Sequence, residues 1–310
     1  MNQGWTYRDR VSTTAVGKTL LDYYVQRYRH SSCDDWQQRI ENGLVTVDGE
    51  PGDSDQRLHL GQRLAYFRPP WEEPSVPLEF AVLYEDTDLM AIAKPSGLPV
   101  LPGGGFLENT LLHQLQVRYP KHPPIPIHRL GRGTSGVMLT ARSPLAKSAL
   151  SRQMRNSTQG SSHSSTLHKT YRALVGPSNL PDAFVVTTPI GSVSYPVLGS
   201  LYAATPIGKP ARSEVQVLRR DATSTLLEVT IQTGRPHQIR IHLAAAGYPL
   251  LGDPLYGPGG LPYAVTNPQE KVPVPGDCGY WLHACELRFT HPRTQEILEI
   301  QCSPPTRLQI

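Results

Sequence analysis

Basic side chains crowd one stretch of this chain. Between Pro126 and Asn156, Arg129, Arg132, Arg142, Lys147, Arg152 and Arg155 flank the apolar run Val137 to Ala141. Cations so arranged suit the neutralisation of nucleic-acid phosphates, which supplies most of the affinity of such complexes. The competing reading is a solvated helix face. Other groupings fail on spacing. Thr134-Ser135-Gly136 with His128 or His237 is not the G-x-S-x-G of a hydrolase, and no acid is placed to orient a histidine. His237 and His242, five residues apart, fall on opposite faces of a strand and well apart around a helix, so they do not share a metal. Gly103-Gly104-Gly105 could cradle a phosphate but reads more simply as a flexible connection. Cys33, Cys278, Cys285 and Cys302 form no CxxC pair, which suggests reduced thiols and neither a zinc cage nor a disulfide framework.

The elements that must position these groups follow from the hydrophobic pattern. A 310-residue chain exceeds one average domain. Its 30 prolines and 26 glycines favour turns and strands over long helices. The break is RPPWEEPSVP, residues 68–77, read as a linker. In residues 1–67, Leu20, Leu21, Tyr24 and Val25 recur at helical spacing, and Trp36 and Ile40 do so in a second short helix. GLVTVDGE then alternates up to an Asp48-Gly49 turn, and RLHLGQRLAYF resumes the alternation as a hairpin-like unit.

Residues 78–310 form the larger domain. FAVLYEDTDLMAIAK gives two strands about an acidic turn, TLLHQLQVRY a helix, VMLTA a strand followed by an amphipathic helix, and STQGSSHSST a mobile polar loop. HKTYRALV, GKPARSEVQVL, LLEVTIQ and WLHACELRFTHP are further strand segments. No regular helices separate them, so the expected class is α+β with a mainly antiparallel sheet rather than a doubly wound parallel one. The net charge of +4 permits nucleic-acid binding without requiring it. No run approaches the ~18 apolar residues of a membrane span, and the polar start MNQGWTYRDR lacks a secretory core. A cytoplasmic protein is expected.

Five strings, KPSGLPV, HRLGRGTSG, HKTYRALV, PIGSVSY with GKPARSEVQVL, and LLEVTIQTGRPHQIRIHLAAAGYPLLGDPLYG with WLHACELRFTHP behind it, resemble in order and spacing the RNA pseudouridine synthase family that modifies ribosomal and transfer RNA, over residues 78–303. Residues 1–67 resemble the small RNA-binding module of a ribosomal small-subunit protein, in which Arg27, Arg29 and Arg39 would contact phosphates. The resemblance implies a long, curved, mainly antiparallel sheet flanked by helices, with an active cleft across its middle. It implies an RNA substrate, no cofactor and no metal. The reaction detaches uracil from ribose at N1, turns it and rejoins it through C5, inside a pocket that takes an extruded base. By resemblance Tyr171 stacks on the base and serves the proton transfer at C5, Arg240 pairs with the catalytic aspartate, and Arg129 holds the base outside the helix. His128, Leu130, Arg132, Thr134, Lys94, Lys169, Arg235, His237 and Ile239 would complete the RNA-binding surface. These implications set Arg129, Tyr171 and Arg240 around one cavity.

The sequence departs from the family at its centre, because the aspartate expected after His-Arg-Leu is Gly131. Losing a nucleophile commonly costs on the order of 10⁴-fold in rate. A catalytically inactive RNA-binding protein of the same fold is therefore the alternative to an active synthase. A buried Arg240 without its carboxylate would carry a penalty of roughly 3 to 5 kcal/mol. Another acid, a bound anion or an RNA phosphate is expected beside it, with Asp253 read as a turn or packing residue.

Overall fold

The structure, a computed structural model, describes residues 1–28, 31–159, 167–196, 198–264 and 272–310. The chain divides into two units, one of residues 1–73 with 194–200 and one of residues 74–193 with 201–310.

In the first unit, helix Leu20–Arg27 starts at Thr19, whose hydroxyl accepts from the Asp22 amide, and helix Cys33–Glu41 starts at a reciprocal Ser32/Asp35 capping box. Asp48 and Gly49, both at positive φ (54° and 103°), turn Val45–Val47 back on Glu50–Pro51. The four-stranded antiparallel sheet runs Trp5–Arg10, Arg63–Arg68, Val45–Val47, Glu50–Pro51. Strand Trp5–Arg10 was not foreseen. Both its faces are polar or exposed, so it carries no apolar alternation and is specified by pairing with Arg63–Arg68. Leu20, Tyr24, Trp36, Ile40, Val45 and Leu64 form the core.

The second unit is built on a ten-stranded sheet. Its main path is Ala183–Val186, Ser213–Arg220, Thr225–Ile231, His168–Val175, Leu282–Thr290, Ser135–Ala141, Leu89–Lys94, Ala81–Glu85. Every pairing is antiparallel except that of Leu282–Thr290 with Ser135–Ala141. That parallel contact is so close that a Cβ on Gly136 would stand 2.2 Å from the Ala284 carbonyl oxygen, which only glycine permits. Ser135–Ala141 is buried along its whole length. Helix Pro144–Gln159 contributes Ala146, Leu150 and Met154 to the same core as Val137, Met138 and Leu139. Of the expected polar loop 157–166, residues 157–159 belong to this helix. Its remainder, 160–166, lies outside the described residues. The acidic turn is held by Asp86, whose carboxylate accepts from the amides of Asp88 and Leu89. Helix Gln238–Ala245 is buried from Gln238 to Ala244, so its polar residues must find partners inside the protein.

Candidate active site

The loop around Gly131 is fixed by backbone-directed bonds. The Lys94 ammonium, 1% exposed, donates to the carbonyls of Pro95 (2.8 Å), Leu98 (2.8 Å) and Arg132 (3.2 Å). Ser96 donates to the Gly133 carbonyl at 2.7 Å, and the Gly97 amide to that of Arg132 at 2.8 Å. KPSG and GRG are thereby stitched together. Burial pushes the Lys94 pKa down to about 7.

Tyr280 lies against that loop. A Cβ on Gly131 would stand 2.8 Å from its hydroxyl, and one on Gly133 2.9 Å from its ring. The hydroxyl is 3.3 Å from Thr134 Oγ1. On the ring's other contact, the Arg240 guanidinium sits 4.2 Å from the centroid. Gly131 and Arg240 are thus brought together across one side chain.

Arg240 is 2% exposed and fully engaged. Nε and Nη2 donate to the two oxygens of Asp253 at 2.7 and 2.8 Å, and Nη1 donates to the Pro275 carbonyl at 3.1 Å. A compensating acid is therefore present, and it is Asp253. The reading of Asp253 as only a turn or packing residue is corrected, as is the pairing of Arg240 with a group at 131. Asp253 holds its turn as well, accepting from the amides of Leu255 and Tyr256. Four donors on one buried carboxylate meet the requirement that an interior charge be paired and hydrogen-bonded.

His237 opens the helix in the left-handed region, φ 54°, beside Tyr256. The Tyr256 hydroxyl donates to the Tyr202 carbonyl at 2.7 Å, so its 2.8 Å contact with His237 Nδ1 requires the proton on that nitrogen. Nε2 then carries the lone pair. Burial, then the charges of Arg240 and Arg129, push the His237 pKa down to about 3, so the ring is neutral. Arg129 itself is exposed. Tyr171, half-buried, packs on the cluster that contains Tyr280, and burial drives its pKa upward, leaving a neutral phenol. As such it can donate a hydrogen bond; acting as a base would first require loss of its proton.

Other expected RNA contacts turn inward. Lys94 is caged by carbonyls, while Leu130 and Ile239 belong to apolar cores. His128 Nε2 accepts from the Leu139 amide at 3.0 Å, and burial pushes its pKa down to about 3. Lys94 and His128 hold the site's backbone through hydrogen bonds, and Leu130 and Ile239 fill apolar cores, so these four residues face inward. Arg132 donates to the Gly276 carbonyl and lies 5.2 Å from the Phe106 ring centroid, and Arg235 donates to that of Pro210. Lys169, its pKa pushed by burial down to about 8, has Nζ 3.4 Å from Ser157 Oγ. Ser135 does meet a histidine, His283, at 2.8 Å, but both are buried and His283 Nε2 is bonded to the Cys302 carbonyl, a structural arrangement.

In the first unit Arg27 pairs with Asp9 at 2.7 Å and lies over Tyr23 and Tyr28, and Arg39 lies 4.5 Å over Trp36. Arg29 lies outside the described residues. Motif reading missed Tyr280 and undervalued Asp253. The available signal was the pair of glycines in Gly131-Arg132-Gly133, which leaves a slot that some side chain must fill.

The fold and this site define a class. The family model for RNA pseudouridylate synthase matches residues 88–245. An RNA pseudouridine synthase of Synechocystis sp., itself uncharacterized, is 49% identical over 93% of this chain and 95% of that relative. The ribosomal large subunit pseudouridine synthase D of Nitrosomonas europaea is 34% identical over 84% of this chain and 73% of that relative. Among solved structures, the human RNA pseudouridylate synthase domain containing 1 protein superposes with a TM-score of 0.56 at 23% identity, covering 77% of this chain and 89% of that one, which speaks for the fold. The chain belongs to the RNA pseudouridylate synthase family. Its activity is the isomerisation of uridine to pseudouridine in RNA.

Proposed function

We propose that the uridine isomerised by this chain belongs to ribosomal or transfer RNA of the cytoplasm, and that the reaction runs with glycine at position 131. The likeness to a large-subunit enzyme supports the ribosomal reading. One observation carries the proposal for Gly131: Arg240 already holds Asp253 as a bidentate partner, so the site is charge-balanced without a second acid. The uridine then meets neutral groups, Tyr171 for stacking and the His237 Nε2 lone pair as an acceptor suited to the uracil N3–H, with Arg129 exposed for the phosphate.

The test incubates unmodified ribosomal and transfer RNA transcripts with the natural chain and with Gly131→Asp, then maps pseudouridine by nucleotide. The expected result is product from the natural chain. Product from Gly131→Asp alone would identify the natural chain as an RNA-binding protein of this fold.

A further inference from the structure

The tip of Tyr280, not its ring, occupies the place of a side chain at 131. The hydroxyl lies 2.8 Å from the point where a Cβ would stand, and among the described residues, the glycine's chain neighbours aside, Thr134 Oγ1 at 3.4 Å is the other atom there within 4 Å. Gly133 accommodates the ring edge at 2.9 Å. Arg240 at 4.2 Å and the apolar cluster with Leu282 and Ala173 hold the ring in that slot. Gly131 is partly open to solvent whereas Tyr280 is buried, so a nucleotide settling on the glycine meets the phenol's oxygen end. The phenol oxygen and Thr134 Oγ1 share one 3.3 Å contact in which either hydroxyl can be the donor; with Thr134 donating, the phenol proton is free for that nucleotide.

We infer that Tyr280 is a catalytic residue of this isomerisation, donating a hydrogen bond from its neutral hydroxyl to the uracil O2 as the glycosidic bond opens. This rests on the reading of the natural chain as active. When C1′–N1 breaks, its electron pair leaves with the base and spreads onto O2, the carbonyl next to N1 and nearest the ribose. C5 then bonds C1′, the C5 proton is released, and N1 takes up one proton, so the composition of the nucleotide is unchanged. A neutral donor at O2 binds the developing oxyanion more tightly than the starting carbonyl, which is what accelerates a reaction. Burial raises the phenol's pKa, the nearby Arg240 charge opposing this only in part, so the donor keeps its proton through the neutral range.

The experiment is a cycle of Tyr280→Phe, Gly131→Ala and the double variant, scored by pseudouridine formation on the RNA the natural chain modifies, with thermal melts alongside. Tyr280→Phe keeps the ring that fills the slot and should lower kcat on the order of 100-fold, with KM and melting temperature little changed. Gly131→Ala, which adds only the methyl that collides with the hydroxyl, should lower kcat similarly in the natural background. On Tyr280→Phe it should cost nothing more, because the colliding atom is gone. A Tyr280→Phe protein with natural kcat, or one whose loss is explained by a lowered melting temperature, overturns the proposal. Equal additional loss from Gly131→Ala in both backgrounds does so too. Absence of activity in the natural chain overturns the reading of an active enzyme and this proposal with it, and the natural-chain control separates that outcome from the others.

Discussion

Two arginine–aspartate forks in the second unit share one geometry and differ in surroundings. Arg240 and Asp253 are 2% and 1% exposed. Arg293 also grips Asp88 through Nε and Nη2, yet Arg293 is 60% exposed while Asp88 is 1% exposed. In the first fork both charges were taken out of water, so each depends on the other for its opposite charge. In the second the arginine can return to solvent, and Asp88 keeps the Ser143 hydroxyl as a further donor at 2.6 Å. The same two bonds therefore carry different weight, and burial rather than bond count decides which fork holds an active site in shape.

That contrast can be broken experimentally. Asp253→Ala should be the most damaging substitution, costing about 3 to 5 kcal/mol in denaturant unfolding because it strands the buried Arg240 charge. A loss below 1 kcal/mol would mean that the guanidinium finds another anion. Lys94→Met should cost about 1 to 3 kcal/mol, since it leaves three carbonyls without their donor, and should lower activity by loosening the Gly131 loop. Arg293→Ala should lower stability measurably but less than Asp253→Ala in the same assay, because Ser143 still donates to Asp88 and removing the exposed arginine opens that carboxylate to water.

The Asp88 fork also sets an acid dependence. Hydrogen bonds from Arg293 and then Ser143 hold the Asp88 pKa at about 2, below the 3.8 of the free group. The unfolded chain thus takes up this proton first, so the stabilisation is complete above pH 3.8 and disappears as pH falls through 2. Unfolding free energies of the natural chain and of Asp88→Asn, measured from pH 6 downward, should converge over that window. The smallest effect belongs to the half-exposed Arg27–Asp9 pair, where Arg27→Ala should shift stability by no more than about 1 kcal/mol.

The forks also mark how far the sequence could be read. Arg240 and Asp253 are 13 residues apart, at a helix and the turn that follows it, so their meeting was at least within view. Asp88 and Arg293 are 205 residues apart and meet because the sheet folds their strands' ends together. Strands with apolar alternation, such as His168–Val175 and Thr225–Ile231, were legible; Trp5–Arg10, with no buried residue on either face, was not.

By itself the sequence determined the element types, the strand-rich class, the ordered motifs and the absence of a carboxylate after His128-Arg129-Leu130, because local periodicity and residue identity are properties of the chain alone. Only the tertiary structure decided that Asp253 neutralises Arg240, that Lys94 faces carbonyls and not RNA, and that the Tyr280 hydroxyl fills the space over Gly131. Those are outcomes of burial and close approach between distant residues, quantities that have no value until the sheet has closed around them.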